Sequence, residues 1–287
     1  MSADSVIPFA FETLPVRGAL IHLGRSWRRM QRDHDYSPLL AETLGHAAAA
    51  TGLIAQSLKF DGAVTLQIQG SGALRMLVMQ CTSSHEMRGM AVMQEGVGAQ
   101  HFADLAQGAR CAITVDSGER PYQGIVAMDG ESLSASLDHD FQRSVQVPSH
   151  IALVANDDVA GGILLQQMPG QPIDADDWNR LHFLVATLST ADFAGDAGMD
   201  LLAKLFAEDD VRAYDSEPVR FRCRCSASKT EDVLRMIGEA EARAALAEQG
   251  VIDIVCEYCG CRRNYDAVDV ERVFAVNPVS PGPESLQ

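Results

Sequence analysis

The sequence lacks three features that would each place it in a broad class of proteins. Its apolar runs are interrupted by charge or glycine well short of a bilayer's thickness, so we expect no membrane-spanning segment. The N-terminus has no basic start followed by an apolar stretch, which predicts a cytosolic chain without a secretory signal. Basic residues are scarce: 23 lysines and arginines against 39 acidic residues leave a net charge of −16, which disfavours binding to nucleic-acid phosphates.

Histidine is missing from the last part of the chain, where none follows His182. Five of the seven cysteines lie in that part, and four of them form the two close pairs Cys223/Cys225 and Cys256/Cys259. A zinc site there would therefore have to consist of cysteine alone. In a reducing cytosol, paired cysteines indicate metal binding or redox chemistry rather than permanent disulfides.

The length of 287 residues and the hydrophobic content of 47% allow one large domain and a smaller one. Residues 38–58 are apolar nearly all round, which predicts a buried helix that begins at Pro38. Apolar and polar residues alternate over 64–68 and again over 74–78, on either side of a glycine-containing turn, and this pattern predicts a hairpin. Further strands are expected near 87–93, 112–115, 123–127, 151–154 and 162–168. Residues 1–176 are thus predicted to form an α+β domain on a mostly antiparallel sheet.

Residues 170–217 carry eleven acidic and three basic side chains, which is half of the net negative charge of the protein. Their apolar residues keep helical spacing, at Trp178, Leu181, Val185, Leu188, Met199, Leu202 and Phe206. We interpret residues 177–217 as an acidic linker of amphipathic helices docked on another part of the protein. Ordinary surface helices of one continuous domain would show the same pattern, and the sequence leaves both interpretations open.

A small module is predicted over residues 218–276. Ser228 and Glu231 match a capping box at the start of one helix, and a second helix over 240–248 would end at Gly250. A β-branched stretch then leads into Cys256. Residues 277–287 are expected to form a disordered tail.

Two close cysteine pairs separated by thirty residues can supply four thiolates to a tetrahedral Zn²⁺ ion. Gly260 permits the tight turn that would direct the second pair toward one ion. A module of this size has a meagre core, so metal binding would supply much of its folding free energy, on the order of 10 kcal/mol. The spacing alone is typical of a structural zinc site in a plain binding module.

Arginines flank both pairs, at Arg220, Arg222, Arg224, Arg262 and Arg263. We expect them to offset the negative charge of a four-thiolate zinc centre and to lower the pKa values of the thiols. An enzyme is not expected, because four thiolates leave zinc no open position for water and the single C-x-x-C lies outside a thioredoxin-like context.

Several stretches, in collinear order over nearly the whole chain, resemble the Hsp33 family of redox-regulated chaperones. One is the C-x-C, thirty residues, C-x-x-C-G arrangement; the others are residues 16–18, 58–62, 87–89, 122–124, 141–144, 146–148, 162–169 and 214–215. The resemblance implies an ATP-independent holdase of the oxidative stress response that is zinc-bound and inactive when reduced.

The resemblance also implies how such a protein is switched. Peroxide with mild unfolding, or hypochlorous acid, would oxidise the four cysteines to the disulfides Cys223–Cys225 and Cys256–Cys259 and release zinc. The zinc module and linker would then unfold, and active homodimers would hold unfolded client proteins against aggregation. A zinc-stabilised binding module without redox switching is the alternative.

Three cysteines lie outside this four-cysteine pattern. Cys261 follows Cys259 by two residues, and it is either a spare, partly exposed thiol or a resolving thiol that could replace Cys256 or shuffle disulfides. Cys81 and Cys111 fall on predicted core strands and are expected to be small apolar packing residues.

Overall fold

The computed structural model describes residues 4–118, 121–143, 147–194 and 198–275. The chain divides into two compact units, Met1–Arg222 and Cys223–Gln287. The predicted linker, 177–217, lies within the first unit, and the division falls five residues after the predicted start of the zinc module at 218. The predicted tail, 277–287, lies outside the described residues.

The first unit contains most of the regular structure. Its strands are β1 (Ser5–Phe11), β2 (Val16–Leu23), β3 (Ala63–Gln69), β4 (Leu74–Thr82), β5 (Glu86–Met93), β6 (Arg110–Asp116), β7 (Tyr122–Val126), β8 (Ser149–Ala155), β9 (Ala160–Gln167), β10 (Val211–Ala213), β11 (Glu217–Pro218) and β12 (Arg220–Phe221). Its helices are α1 (Arg25–Gln31), α2 (Pro38–Ser57), α3 (Phe102–Ala106), α4 (Leu133–Gln142), α5 (Ala175–Ala186) and α6 (Met199–Leu205), with a 3-10 turn at Thr190–Phe193.

The strands of the first unit form two sheets. In sheet A the order is β10-β1-β2-β9-β8, all pairs are antiparallel, and β11 also pairs with β1. In sheet B the order is β12-β5-β4-β3-β6-β7, and only the short β12–β5 pair is parallel among the described strands. The predicted α+β class is confirmed, although two sheets stand where the sequence indicated one.

Helix α2 lies between the two sheets and contacts strands of both. This position explains why the helix is apolar all round, since Leu44 and Leu53 belong to one core with Ile21 of sheet A and Leu66 of sheet B. A Cβ atom on Gly52 would lie only 2.3 Å from the Ile21 side chain, so glycine permits the close approach of helix and sheet. The predicted buried helix and its start at Pro38 are confirmed, with Ser37 as N-cap.

The other face of sheet A is covered by the segment predicted to be a linker. Leu181, Val185, Phe193, Leu201, Leu202 and Phe206 are buried against apolar side chains of β1, β2 and β9, among them Ile7, Phe9, Leu20, Ile163 and Leu165. Arg180 of α5 also donates two hydrogen bonds to the Asp209 carboxylate, at 2.9 and 2.7 Å. The predicted helices of 177–217 are thus formed and packed on the sheet.

The second unit consists of α7 (Ala227–Ile237), α8 (Glu239–Gln249), the hairpin β13 (Ile252–Val255) and β14 (Arg262–Tyr265), and α9 (Ala267–Ala275). Over the described part of this unit, 223–275, the core cluster contains five buried apolar side chains, namely Leu234, Ala242, Tyr265, Val270 and Val273. Among the described residues, no helix of either unit is long and apolar enough to span a membrane.

The predicted capping box of the first helix in this unit is wrong. Ser226, rather than Ser228, is the N-cap, and its hydroxyl accepts a hydrogen bond from the Lys229 N–H at 3.3 Å. Glu231 is paired with Arg235 instead. The helix therefore begins directly after the first cysteine pair, and the end of the second helix at Gly250, with φ of 76°, is confirmed.

Candidate metal centre

The first cysteine pair lies in the short connection that leads into α7. The backbone N–H of Cys225 points at the sulfur of Cys223, 3.4 Å away. Such N–H to sulfur hydrogen bonds favour the thiolate form, which is the form that ligates metals. The Ser226 cap then fixes the direction of the helix immediately after Cys225.

The second pair lies in the turn that connects β13 to β14. The carbonyl oxygen of Cys256 accepts hydrogen bonds from the N–H groups of Cys259 and Gly260, and the Cys256 N–H donates to the Cys261 carbonyl. Gly260 has φ of 63°, a left-handed conformation that glycine adopts readily, and it lies in the tight turn that the sequence predicted there. The hairpin therefore ends in a knuckle with both Cys256 and Cys259 held by backbone hydrogen bonds.

The four predicted cysteines lie together. Their sulfurs are all within 4.8 Å of one another. Cys223 Sγ is 3.6 Å from Cys256 Sγ, and Cys225 Sγ is 3.5 Å from Cys259 Sγ. A tetrahedral zinc ion with Zn–S bonds of about 2.3 Å keeps its sulfurs about 3.8 Å apart. The distances and the thiol donors are thus suitable for holding a metal ion. The observed sulfur–sulfur distances are too long to be S–S bonds.

The thiols differ in their tendency to ionise. Burial raises the pKa of Cys225 to about 11, and burial raises that of Cys259 further. Burial also acts to raise the pKa of Cys223, but hydrogen bonds from Cys225 and the neighbouring thiols outweigh it and lower the value. A bound cation would supply the positive charge that stabilises all four thiolates together.

The expectation that arginines would lower the pKa values of these thiols is wrong for Cys225 and Cys259, because burial dominates at both. Two of the arginines also have carboxylate partners: Arg262 pairs with Asp253, and Arg222 of the first unit pairs with Glu86. Their charge is therefore partly neutralised locally.

The remaining cysteines lie apart from the four-sulfur cluster. Cys261 is exposed, and only its backbone takes part in the knuckle. Cys81 and Cys111 are buried on β4 and β6, where burial raises the pKa of each to about 12. Their prediction as packing residues of the core is confirmed.

Sequence reasoning missed a supporting contact in the second unit. The hydroxyl groups of Thr230 on α7 and Tyr265 on β14 are hydrogen-bonded, and both residues are buried. This bond joins the element that follows the first cysteine pair to the strand that follows the second. The only signal in the sequence is the single aromatic residue at the end of an otherwise polar stretch, 262–265.

Comparison with known proteins gives a consistent result. The sequence model of the family described as Hsp33 protein matches residues 4–266. The 33 kDa chaperonin of Methylobacillus flagellatus is 38% identical over 285 residues, which cover 98% of this chain and 97% of the relative. The 33 kDa chaperonin of Nitrosococcus oceani is 37% identical over 279 residues, covering 97% and 96%.

A solved structure has a similar fold. It is the crystal structure of the 33 kDa chaperonin, a heat shock protein 33 homolog, from Thermotoga maritima. Its TM-score is 0.76 at 22% sequence identity, with 95% of this chain and 98% of that chain covered. With a family match over nearly its whole length and curated relatives that cover it end to end, the chain belongs to the Hsp33 family of chaperones.

Proposed function

We propose that this chain is a redox-regulated, ATP-independent holdase of the cytoplasm. In the reduced state one Zn²⁺ ion, held by Cys223, Cys225, Cys256 and Cys259, keeps it inactive. Oxidation of these four cysteines releases the ion and activates the protein. The observation that carries the proposal is the cluster of four sulfurs within 4.8 Å of one another in a chain of this family.

The donor set suits zinc better than a hard cation. Four thiols are soft ligands, and magnesium and calcium prefer oxygen. When bound, zinc supplies the charge that keeps the thiols deprotonated and adds folding free energy to the second unit. The five-residue core of that unit supports such a dependence, because it can contribute little stability of its own.

Oxidation would convert the ligands into disulfides that no longer bind metal. For each disulfide, two thiols lose two protons and two electrons, and one hydrogen peroxide is reduced to two waters. Following the family resemblance, the products are Cys223–Cys225 and Cys256–Cys259. Loss of all four thiolates removes the metal and with it much of the stability of the second unit.

Client binding would use apolar surface that is covered in the reduced state. The candidate surface is the outer face of sheet A, where residues 181–206 contribute six buried apolar side chains. Each such side chain stabilises the docked state by about 2 kcal/mol. Clients would be unfolded proteins with exposed apolar segments, and the active form would be a homodimer. Nucleic acid and membranes are not expected partners, given the net charge of −16.

Zinc content and suppression of client aggregation, measured before and after peroxide at elevated temperature, test the proposal. The reduced protein should contain one zinc per chain and leave the light scattering of an unfolding client unchanged. The oxidised protein should lose zinc, suppress scattering without ATP, and elute as a dimer.

A variant with Cys223, Cys225, Cys256 and Cys259 all replaced by serine separates a switch from a plain zinc-stabilised module. If the oxidised wild type keeps its zinc, or loses zinc without gaining holdase activity, the redox switch is absent and the binding-module function remains. Peroxide-dependent activity in the four-serine variant would show that oxidation acts elsewhere.

A further inference from the structure

A cluster of ionisable side chains in the first unit has no part in the proposed zinc chemistry. Asp138 of α4 lies 3.3 Å from Nδ1 of His150 on β8 and 3.3 Å from Nε2 of His182 on α5. One carboxylate is therefore shared by two imidazoles. The three residues come from three elements, and α5 belongs to the segment that covers sheet A.

The imidazole of His150 is stacked between two side chains of α5. Its centroid lies 4.0 Å from that of His182, with the rings 10° from parallel, and 4.5 Å from that of Trp178. Trp178 and His182 are four residues apart and so lie on one side of the helix. His150 is only 3% exposed, and its Nε2 atom has no hydrogen-bond partner among the described residues. This stack is thus a direct contact between α5 and sheet A.

The stack does not suit a metal ion. Imidazole nitrogens bind metals in the plane of the ring, and two nearly parallel planes separated by a stacking distance cannot both contain one ion. The two rings can instead hold a proton beside Asp138. The Asp138 carboxylate also accepts hydrogen bonds from the Ile151 N–H and the Gln142 amide, so it is fixed in place as an acceptor.

Few other charged groups face the cluster. Glu42 and His46 of α2 line the same cleft as Asp138 and His182. They are partners of each other at 3.9 Å, and burial lowers the pKa of His46 to about 4, which keeps it neutral. Among the described residues, Asp138 is therefore the carboxylate that pairs with both stacked rings.

Protonation of both rings is unfavourable while they are stacked. One positive charge can be shared with Asp138, but a second would place two cations at a centroid separation of 4.0 Å. Burial, followed by the charge of His150, lowers the pKa of His182 below its ordinary value of 6.5. Burial acts to raise the pKa of Asp138, but its hydrogen bonds outweigh this effect and keep it a carboxylate.

We propose that Asp138, His150 and His182 form an acid-sensitive latch that holds α5 on sheet A and opens when His182 of the stacked pair takes up a proton. The undocked helix binds the additional proton more readily than the docked one, so docking weakens as pH falls below about 6.5. The negative charge of Asp138, which helps to hold α5 on sheet A, is lost only at lower pH, because the pKa of Asp138 lies below its usual 3.8. Opening would uncover the outer face of sheet A without oxidation; this consequence alone rests on the proposed function.

Hydrogen exchange of the full-length, reduced, zinc-loaded protein tests the latch. Backbone protection is compared at pH 7.5 and 5.5 after correction for the intrinsic pH dependence of exchange. In the wild type, the amides of α5 should lose up to about tenfold protection relative to those of α2, because at pH 5.5 an undocked histidine with the ordinary pKa of 6.5 is about ten times more often protonated than neutral. His182→Gln keeps a polar side chain that cannot titrate. In this variant, the protection of the α5 amides should fall by less than about twofold between pH 7.5 and 5.5.

His139→Gln is the matched control. His139 lies next to Asp138 in the sequence but is exposed and pairs with Asp129, so this variant should keep the acid response of the wild type. If His182→Gln already undocks α5 at pH 7.5, the variant cannot serve as the test. The ring-proton signals of His150 and His182 in the wild type are then followed as a function of pH instead. The midpoint of the His182 signal must then coincide with the loss of α5 protection.

Three results would overturn the latch: pH-independent protection of α5, a His182→Gln variant as acid-sensitive as the wild type, or an equal loss of protection in α2. The experiment measures the docking of α5 on sheet A and does not measure chaperone activity. A failed latch thus leaves the redox proposal intact, and a failed redox proposal leaves the latch testable.

Discussion

The sulfur of Cys225 touches that of Cys259, 3.5 Å away, although 33 residues separate them in the sequence. The second sulfur contact, Cys223 with Cys256, also joins the two pairs to each other. A disulfide within either pair requires two sulfurs to approach to about 2.05 Å. None of these cysteines is disulfide-bonded in the structure, so oxidation to the proposed products has to shorten the sulfur–sulfur distance within each pair.

Replacing Cys225 or Cys256 by serine should abolish tight zinc binding. A hydroxyl is a poor substitute for a thiolate, and the remaining three ligands leave the tetrahedral site incomplete. We expect zinc affinity to fall by more than about a hundredfold, which exceeds the losses seen when a residue that only orients a metal ligand is replaced. Competition with a chromogenic chelator measures it. Cys261→Ser is the matched control and should bind zinc like the wild type; tight binding retained by both ligand variants would contradict the site.

Peptide mapping after peroxide treatment should find Cys223 joined to Cys225 and Cys256 joined to Cys259. A Cys259–Cys261 bond would close a ring one residue smaller than Cys256–Cys259 and is expected to be more strained. Cys261→Ser should accordingly remain activatable, with at most a change in disulfide heterogeneity. If Cys261 is found mainly in a disulfide and its serine variant cannot be activated, Cys261 belongs to the switch.

Leu181→Ala should loosen the cover on sheet A, because Leu181 is fully buried in the interface between α5 and the sheet. Truncation of a buried leucine costs about 2–5 kcal/mol. We expect reduced protection of α5 in hydrogen exchange and measurable holdase activity before oxidation. Phe183 lies two residues away on the same helix and is 68% exposed, so Phe183→Ala should change stability by less than about 0.5 kcal/mol. Equal effects of the two changes would argue against the covered face as client surface.

Alkylation with iodoacetamide at pH 8 should distinguish the cysteines of the native, zinc-loaded protein. Cys261 is exposed and should react first. Cys81 and Cys111 should stay unmodified, since burial raises the pKa of each to about 12 and leaves almost no thiolate at this pH. Quantitative mass spectrometry of the peptides follows the order. After the protein is denatured in the presence of a chelator, all seven cysteines should react. Early labelling of Cys81 would indicate that sheet B opens in the native state.

The sequence predicted those features that depend on neighbouring residues. The all-round apolar pattern of 38–58 correctly indicated a buried helix, and the cysteine spacing correctly indicated which four sulfurs would meet. The cap of α7 was placed two residues late, because Ser226 and Ser228 are chemically equivalent candidates and only the path of the chain after Cys225 selects one. The choice depends on tertiary structure.

Long-range contacts were beyond the reach of sequence patterns. Nothing near His150 indicates that its ring would stack on Trp178 and His182, since the contact depends on how α5 lies across β8. Likewise, β1 and β2 were not predicted. Sheet A has apolar cores on both of its faces, so strict alternation of apolar and polar residues is lost over β2.

The position of α2 affects how such a chaperone could return to its inactive state. Of the residues that the structure describes, none from 177–217 belongs to the core around this helix. Undocking of that segment would leave every contact among α2, β3 and β4 in place. Recovery after reduction would then be a local re-docking onto a preformed template, with rates set by a short segment. The slow search of a whole chain for its antiparallel pairings would be avoided. A molecule built this way could pass through repeated cycles of undocking and re-docking without populating the aggregation-prone states of a globally unfolded chain.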